Sequence, residues 1–179
     1  MTIDLQAVLR PAQRFAMLFN VALYASAGVA LFLVAALMLA PVATGQTLAG
    51  FVGYPNAAMS RGQSFILSTL VLLQIGLWAG SFLAGRRLCW HLCAGSVREA
   101  GQASERLACW LWGLLLWSLA GQAAASAVAT WHLAQGERTV AVAFDGEQVS
   151  MALAALMAVF LARAFSVGAE LWRDHQAIV

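Results

Sequence analysis

The sequence has no lysine and little charge of either sign: its ten basic residues are all arginine, and only 10% of its residues are charged. Because soluble domains carry about 25% charged residues, too few charged side chains are present for a water-facing surface. The net charge of +2 at pH 7 is also far from the strongly basic face that nucleic acids require. An ordinary soluble domain is excluded, and no direct binding of nucleic acid is predicted.

Cysteine is scarce too, with three residues at Cys89, Cys93 and Cys109. This odd number excludes the evenly spaced disulfide framework of small secreted proteins. Cys89 and Cys93 share a helix face with spacing i, i+4, but His91 lies about 200° around the helix from Cys89. A structural zinc normally has four ligands. We therefore predict no metal site and interpret the cysteines as reduced thiols.

Hydrophobic residues make up 62% of the sequence, and they form long runs. A helix needs about 20 residues to cross the hydrocarbon core of a bilayer. A single segment in lipid must also satisfy its backbone hydrogen bonds internally, which favours helices over strands. The predicted spans are residues 15–40, 65–84, 107–133 and 149–169. The sequence therefore predicts one transmembrane domain over residues 1–179, an all-α integral membrane four-helix bundle.

The segments between the spans are short. The run at residues 15–40 exceeds the roughly 7–15 residues of a signal-peptide core, so we expect it to be retained, and Pro41 ends its helix. Residues 41–64 are predicted as a glycine-rich loop. Residues 85–106 are predicted as helical extensions joined by a turn around Gly95–Gly101. Ser96 and Glu99 have the spacing of a capping box.

The arginines are distributed unequally between the two sides of the predicted bundle. Eight of them fall on the side of the termini and the 85–106 connection, and two fall on the other side. The larger set is Arg10, Arg14, Arg86, Arg87, Arg98, Arg106, Arg163 and Arg173, and the smaller set is Arg61 and Arg138. Retained positive charge marks the cytoplasmic face of a membrane protein. Both termini and the 85–106 connection are therefore predicted to be cytoplasmic.

Small residues at four-residue spacing predict where the helices approach one another, because close packing holds helices together in lipid. The second span carries Gly76 and Gly80, and the fourth carries Ala154, Ala158 and Ala162. Since every span has such a row, we predict that the helices pack on one another within one chain. The alternative is a homodimer formed through Gly76 and Gly80.

The spans offer little chemistry. The sequence contains no HExxH, GxSxG or phosphate-binding loop, and no acidic residue lies deep in a span. The polar residues near mid-span are Asn20, Gln74, Ser118 and Gln122. The histidines, His91, His132 and His175, lie near the span ends on opposite sides, which does not fit the two faces of one haem. We predict no catalytic residue and no cofactor.

Charge is concentrated on the predicted cytoplasmic side, which is therefore the candidate surface for a partner or for lipid headgroups. Arg163 lies near the inner end of the fourth span, where an arginine either extends to the interface or pairs with Glu99, Glu105 or Glu170. The candidate partner-binding residues are Arg86, Arg87, Arg98, Glu99, Arg106, Arg163, Glu170, Arg173 and Asp174.

Two stretches resemble a bacterial family of four-span inner-membrane proteins known only as a domain of unknown function. The first runs from Arg86-Arg87-Leu88 to Gly95 and continues at Arg106-Leu107. The second runs from Gly168-Ala169-Glu170-Leu171 to Val179, similar to the family's Gly-x-Glu-Leu ending. The family's aromatic residue after the central glycine is replaced here by Val97–Arg98, so no docking role is expected at that position.

The resemblance implies a partner, because genes of this family often lie beside a small Cro-like helix-turn-helix regulator. It implies no catalytic residue. The leading hypothesis is therefore a non-enzymatic regulatory or accessory protein of the bacterial inner membrane that contacts a cytoplasmic protein. The alternative is a small-molecule transporter, a channel or a transporter subunit, for which Asn20, Gln74 and Gln122 would line a water-filled path.

Overall fold

The computed structural model describes residues 5–55, 57–131 and 140–177. Within these ranges it describes the side chains of residues 11–170. The described residues form helices and no strand. The helices are α1 (Leu5–Leu39), α2 (Pro41–Phe51), α3 (Arg61–Cys93), α4 (Val97–Thr130) and α5 (Gly146–Ala177). Among them α1, α3, α4 and α5 are long and apolar enough to cross a membrane. The prediction of an all-α, multi-pass membrane protein is therefore confirmed.

The burial pattern is that of a protein surrounded by lipid. The residues buried between helices are mostly small, such as Ala100, Ser104 and Ala155, each with no exposed surface. Large apolar side chains such as Phe32 and Phe160 point away from the other helices, with exposed fractions of 76% and 72%. Because lipid tails are as apolar as leucine, the large side chains lose nothing outside the bundle, and the small ones let backbones approach closely.

The four spanning helices pack in a simple order. α1 packs against α3, α3 against α4, and α4 against α5, and α2 packs against α3 with a smaller contact to α1. Within the described residues, the outer helices α1 and α5 do not pack extensively against each other. The four helices therefore do not close into a ring. Each interface between spanning helices includes α3 or α4, the two central helices.

The helices extend beyond the predicted spans. α3 and α5 contain the predicted spans 65–84 and 149–169, whereas α1 begins ten residues before its span and ends at Leu39. The last residues of the span predicted at 107–133 lie outside the described residues. Helical hydrogen bonding therefore continues past the apolar runs on the side that carries most of the arginines.

The glycine-rich loop predicted for residues 41–64 is wrong in its first half, where α2 forms. Pro41 occupies the first turn of α2, the one helical position at which the missing N–H costs nothing. Gly45 lies so close to α3 that an added Cβ would be 2.6 Å from Ser64 Cβ. The glycines that indicate a loop in the sequence serve here as a close contact between two helices.

The α3 N-terminus carries a capping box that was not predicted from the sequence. Ser60 N–H donates to Gln63 Oε1 at 2.9 Å, and Gln63 N–H donates to Ser60 Oγ at 3.3 Å. The Gln63 side chain also donates to the carbonyl of Val128 in α4 at 3.0 Å. The start of α3 is therefore tied to the end of α4 on the side of the membrane opposite the 85–106 connection.

The two glycines of the second predicted span have different surroundings. Gly80 faces α4, and an added Cβ would be 2.7 Å from the ring of Trp110. Gly76 is exposed, and an added Cβ would have no neighbour within 4 Å. Gly80 is therefore part of the interface within the chain, and the two glycines do not form one continuous packing surface in the structure.

The alanines of α5 also divide between two faces. Ala158 and Ala162 are buried against α4, whereas Ala154 is exposed, and the buried row begins instead at Met151 and Ala155. A helix turns about 100° per residue, so a strict four-residue row drifts about 40° per step. The buried row follows spacings of four, three and four, which keep it on one face.

Replacing Gly80 by alanine is expected to destabilise the fold by about 1 kcal/mol, because the Trp110 ring must move to admit a methyl group. The same replacement at Gly76 meets open space and gains helix propensity, so Gly76→Ala is expected to be neutral or stabilising by up to about 1 kcal/mol. Thermal unfolding of both variants in detergent measures the difference. Equal loss of stability in both variants would contradict the packing of this helix.

Candidate functional site

Most of the described charged residues lie at one end of the bundle, which we call the hairpin end: residues 85–106 with the adjoining parts of α1 and α5. Phe19 of α1 packs there, because an added Cβ on Gly85 would be 2.7 Å from its ring. Phe165 of α5 packs against the cluster formed by Leu88 and Ala100. At the hairpin end, the α3–α4 turn therefore lies next to the first half of α1 and the last part of α5.

A glycine closes the turn between α3 and α4. Gly95 has φ +70°, a left-handed conformation that favours glycine. Gly95 N–H donates to Leu92 O at 3.2 Å, and Ser96 N–H donates to His91 O at 3.1 Å. This pair of bonds is the Schellman arrangement that ends a helix. The turn occupies residues 94–96, so it is tighter than predicted, and Gly101 lies inside α4.

The predicted capping box at the start of α4 is wrong. Ser96 is the N-cap residue, but its side chain makes no cap hydrogen bond. Its hydroxyl donates to the carbonyl of His91 at 3.2 Å instead. The Glu99 carboxylate lies 2.9 Å from Nδ1 of His91. The side chains of Ser96 and Glu99 therefore both contact His91 at the end of α3. The spacing of residues within α4 cannot predict such contacts with another helix.

One recess at the hairpin end lies between α3 and α4, and we call it the α3–α4 cavity. Its volume is about 340 Å³. Its polar part is lined by Arg87, His91, Glu99, Gln102 and Arg106, and its apolar part includes Gly80, Leu83 and Trp110. A pocket with guanidinium groups at one end and an apolar floor at the other suits an amphiphilic anion.

The second recess lies between α4 and α5, and we call it the α4–α5 groove. Its volume is about 750 Å³. The rim carries Arg98, Glu105 and Glu170, and the floor includes Gly101 and Ala162. Below the floor the two helices are joined inside the protein, because the buried hydroxyl of Ser104 donates to the carbonyl of Ala158 at 2.8 Å. The groove is therefore held by a fixed helix pair.

The predicted partner-binding residues divide between these two recesses. Arg87, Glu99 and Arg106 line the α3–α4 cavity, and Arg98 and Glu170 line the α4–α5 groove. Arg86 and Arg163 are exposed and line neither recess. The side chains of Arg173 and Asp174 lie outside the described residues. Arg163 forms no ion pair with a described side chain, which leaves the interpretation that it extends to the membrane interface.

Sequence reasoning missed Gln102, which lines both recesses, and named Glu105, which lines the groove, only as a possible ion-pair partner of Arg163. Both precede the apolar run of α4, at positions that look like an ordinary solvated helix face. The short turn between α3 and α4 could have predicted these positions. Two helices joined by a short turn are antiparallel, so residues at equal distances from the turn lie at the same level.

A smaller recess lies toward the opposite end of the bundle, with a volume of about 200 Å³. It collects the mid-span polar residues Gln74, Ser118 and Gln122 with Gln148 at the start of α5. Asn20, on α1, does not line it. Gln122 is already occupied in part, because its Oε1 accepts from Ala143 N–H at 2.9 Å. Two of the three residues predicted to line a polar path are therefore brought together.

The cysteines lie apart from any metal-binding arrangement in the described part of the chain, where no three histidine, cysteine or acidic side chains come together as ligands. Cys89 is buried, Cys93 is half-buried and Cys109 is exposed. The imidazole of His91 faces Glu99, and His132 and the side chain of His175 lie outside the described residues. The α3–α4 cavity and the α4–α5 groove are therefore the candidate functional site.

Comparisons of this chain with protein-family models, with curated proteins and with solved structures find no match.

Proposed function

We propose that this protein is a non-enzymatic regulatory or accessory protein of a bacterial cytoplasmic membrane, and that its α4–α5 groove binds a soluble cytoplasmic protein. The observation that carries the proposal is the groove itself. Charges from two separate parts of the sequence, Arg98 and Glu105 on α4 and Glu170 on α5, surround a floor of small residues. Grooves of this form accept an amphipathic helix.

The unequal arginine distribution supports a cytoplasmic position for the groove. Arg86, Arg87, Arg98 and Arg106 all belong to the hairpin end, whereas Arg61 belongs to the opposite end. Connections this short obey the positive-inside rule. The hairpin end therefore faces the cytoplasm in our proposal, where soluble regulators are found.

The rim of the groove indicates the chemistry of the partner. It offers two carboxylates, Glu105 and Glu170, against one guanidinium, Arg98, so it suits a helix that carries basic residues beside an apolar face. A helix-turn-helix regulator presents such a basic surface to DNA. The resemblance to a family encoded beside such regulators points to the same class of partner. Binding in the groove would cover the DNA-binding surface and hold the regulator at the membrane.

Site-specific photo-crosslinking in cells tests this proposal. A p-benzoylphenylalanine placed at Ser166, which lines the groove, is expected to crosslink to a soluble helix-turn-helix protein. The matched control is the same residue at Phe160, an exposed position on another face of α5. Identical products from both positions, or no protein product from Ser166, would refute a partner in the groove.

Charge replacement then tests the chemistry on the purified pair. Glu105→Gln with Glu170→Gln is expected to weaken binding roughly three- to tenfold and to reduce its salt dependence, because exposed rim charges mainly steer association. Glu147→Gln removes one exposed carboxylate at the opposite end and serves as the control. Equal affinities for the double variant and the control would contradict a basic partner.

A second candidate function, transport, is favoured by one observation. Gln74, Ser118 and Gln122 line a shared recess that reaches toward mid-membrane from the end opposite the hairpin. A cluster formed by Leu114, Leu115 and Met151, with Leu77 packed against it, lies at the level between this recess and the α3–α4 cavity. Gln74→Cys should react with a membrane-impermeant thiol reagent from one side if this apolar layer is closed, and from both sides if the path conducts.

A further inference from the structure

We propose that the α3–α4 cavity binds the phosphate group of an anionic phospholipid, with the acyl chains of that lipid leaving the cavity along the Gly80 and Trp110 end. The proposal is independent of the partner assigned to the α4–α5 groove, because it rests on different charged residues. It adds a specific ligand to a chain whose general contact with lipid follows from its apolar helices.

The cavity carries more basic than acidic groups. Glu99 is its single carboxylate, and that carboxylate faces His91 at 2.9 Å. Among the described side chains, neither Arg87 nor Arg106 lies within ion-pair distance of an acidic group. Two guanidinium groups therefore remain available, and guanidinium binds phosphate oxygens through paired hydrogen bonds. Gln102 adds an amide that can donate a further hydrogen bond.

The depth of the two arginines suits a lipid headgroup. The contacts between Gly80 and Trp110 and between His91 and Glu99 define one antiparallel register for α3 and α4. In this register Arg106 lies opposite Ala84, one turn closer to the membrane centre than Arg87. The apolar run of α4 begins directly after Arg106, and that of α3 ends at Ala84, two residues before Arg86. Both guanidinium groups therefore lie at the membrane boundary, where lipid phosphates are found.

The remaining lining of the cavity favours a lipid over free phosphate. Gly80, Leu83 and Trp110 belong to the apolar runs and form the end that faces the membrane interior. Leu83 and Trp110 are 37% and 41% exposed, so this end of the cavity opens sideways toward lipid. Free phosphate would leave an apolar surface uncovered, whereas an acyl chain covers it. Basic pockets between spanning helices on the cytoplasmic side are typical sites for anionic headgroups.

Lipid titration of the purified full-length protein, followed by native mass spectrometry, tests the proposal. Dioleoylphosphatidylglycerol is the anionic probe, and dioleoylphosphatidylcholine is the zwitterionic control. The wild-type protein is expected to bind phosphatidylglycerol about tenfold more tightly than phosphatidylcholine, because the quaternary ammonium of phosphatidylcholine would lie close to two guanidinium groups. Millimolar inorganic phosphate should leave the bound phosphatidylglycerol in place.

A matched set of arginine variants locates the site. Arg87→Gln with Arg106→Gln is expected to weaken phosphatidylglycerol binding about tenfold. Arg86→Gln removes one positive charge at the position next to Arg87, which does not line the cavity, and should change the affinity by less than about twofold. The lipid-free Tm of every variant should match the wild type, because none of the three side chains has a described ion-pair partner.

Three results would overturn the assignment. Equal weakening by Arg86→Gln and by the double variant would mean diffuse attraction to a basic surface, without a site in the cavity. Equal affinity for the two lipids, which both carry a phosphodiester, would mean that the net negative charge of the headgroup is not recognised. Full displacement of phosphatidylglycerol by inorganic phosphate would identify a soluble anion as the ligand.

Discussion

Replacing Gly45 by alanine is expected to destabilise the protein by about 2–3 kcal/mol, the upper part of the range of about 1–3 kcal/mol for a methyl group forced into a packed contact. The added Cβ would be 2.6 Å from Ser64 Cβ and 3.0 Å from Ser64 Cα. Because the Cα belongs to the α3 backbone, no side-chain rotation relieves the contact, and α2 must move away from α3. A decrease in Tm of roughly 5–10 °C in detergent is expected for a chain of this size.

Two further variants show whether this contact is the cause. Gly28→Ala places the same methyl group in α1 where no atom lies within 4 Å, so it should be neutral or slightly stabilising. Ser64→Gly removes the Cβ and hydroxyl that the added methyl group would meet, so combining it with Gly45→Ala should restore part of the loss. A Tm for Gly45→Ala equal to that of Gly28→Ala would contradict the placement of α2 on α3.

Replacing Ala155 by leucine is expected to separate α5 from α4, with a loss of about 3 kcal/mol or more. Ala155 has no exposed surface. One turn later in α5, the carbonyl of Ala158 accepts a buried hydrogen bond from the hydroxyl of Ser104. A leucine at this position leaves no room for that close approach. The variant should show a strongly decreased Tm in detergent and should also lose any binding that depends on the α4–α5 groove.

The neighbouring residue provides the control for this prediction. Ala154 is exposed on another face of the same turn, so Ala154→Leu only adds an apolar side chain to a surface in contact with lipid. We expect its Tm to remain within about 2 °C of the wild type. A larger loss for Ala154→Leu than for Ala155→Leu would mean that α5 is rotated and that the packing row predicted from sequence, Ala154–Ala158–Ala162, is the buried one.

The number of spans and the helix ends that lie together could be predicted from the sequence, because run length and arginine placement depend on the membrane and not on details of packing. The rotation of each helix about its own axis could not be predicted as well. In a soluble bundle a polar face would mark the outside, but here both faces of α3 and α5 are apolar. Gly76 and Gly80 therefore look equivalent in the sequence, although only Gly80 faces α4.

Many residues of the candidate site could be predicted from the sequence, but their arrangement in space could not. Arg87, Arg98 and Glu170 were identified from their position outside the spans, yet their division between two recesses depends on how α4 lies between α3 and α5. α2 was missed because Pro41, Gly45 and Gly50 are typical of loops. Packing against Ser64 of α3 overrides that preference, and such a contact between distant residues has no local signal.

The orientation of the hairpin end is the claim on which both proposed sites depend, and thiol labelling in intact cells tests it most directly. In a background without native cysteines, Ala94→Cys marks the α3–α4 turn and Ala58→Cys marks the opposite end, both at exposed positions. With a membrane-impermeant maleimide, Ala58→Cys is expected to react in intact cells, and Ala94→Cys only after the membrane is permeabilised. Labelling of Ala94→Cys in intact cells would contradict the account, because the α4–α5 groove and the α3–α4 cavity would then face away from the cytoplasm.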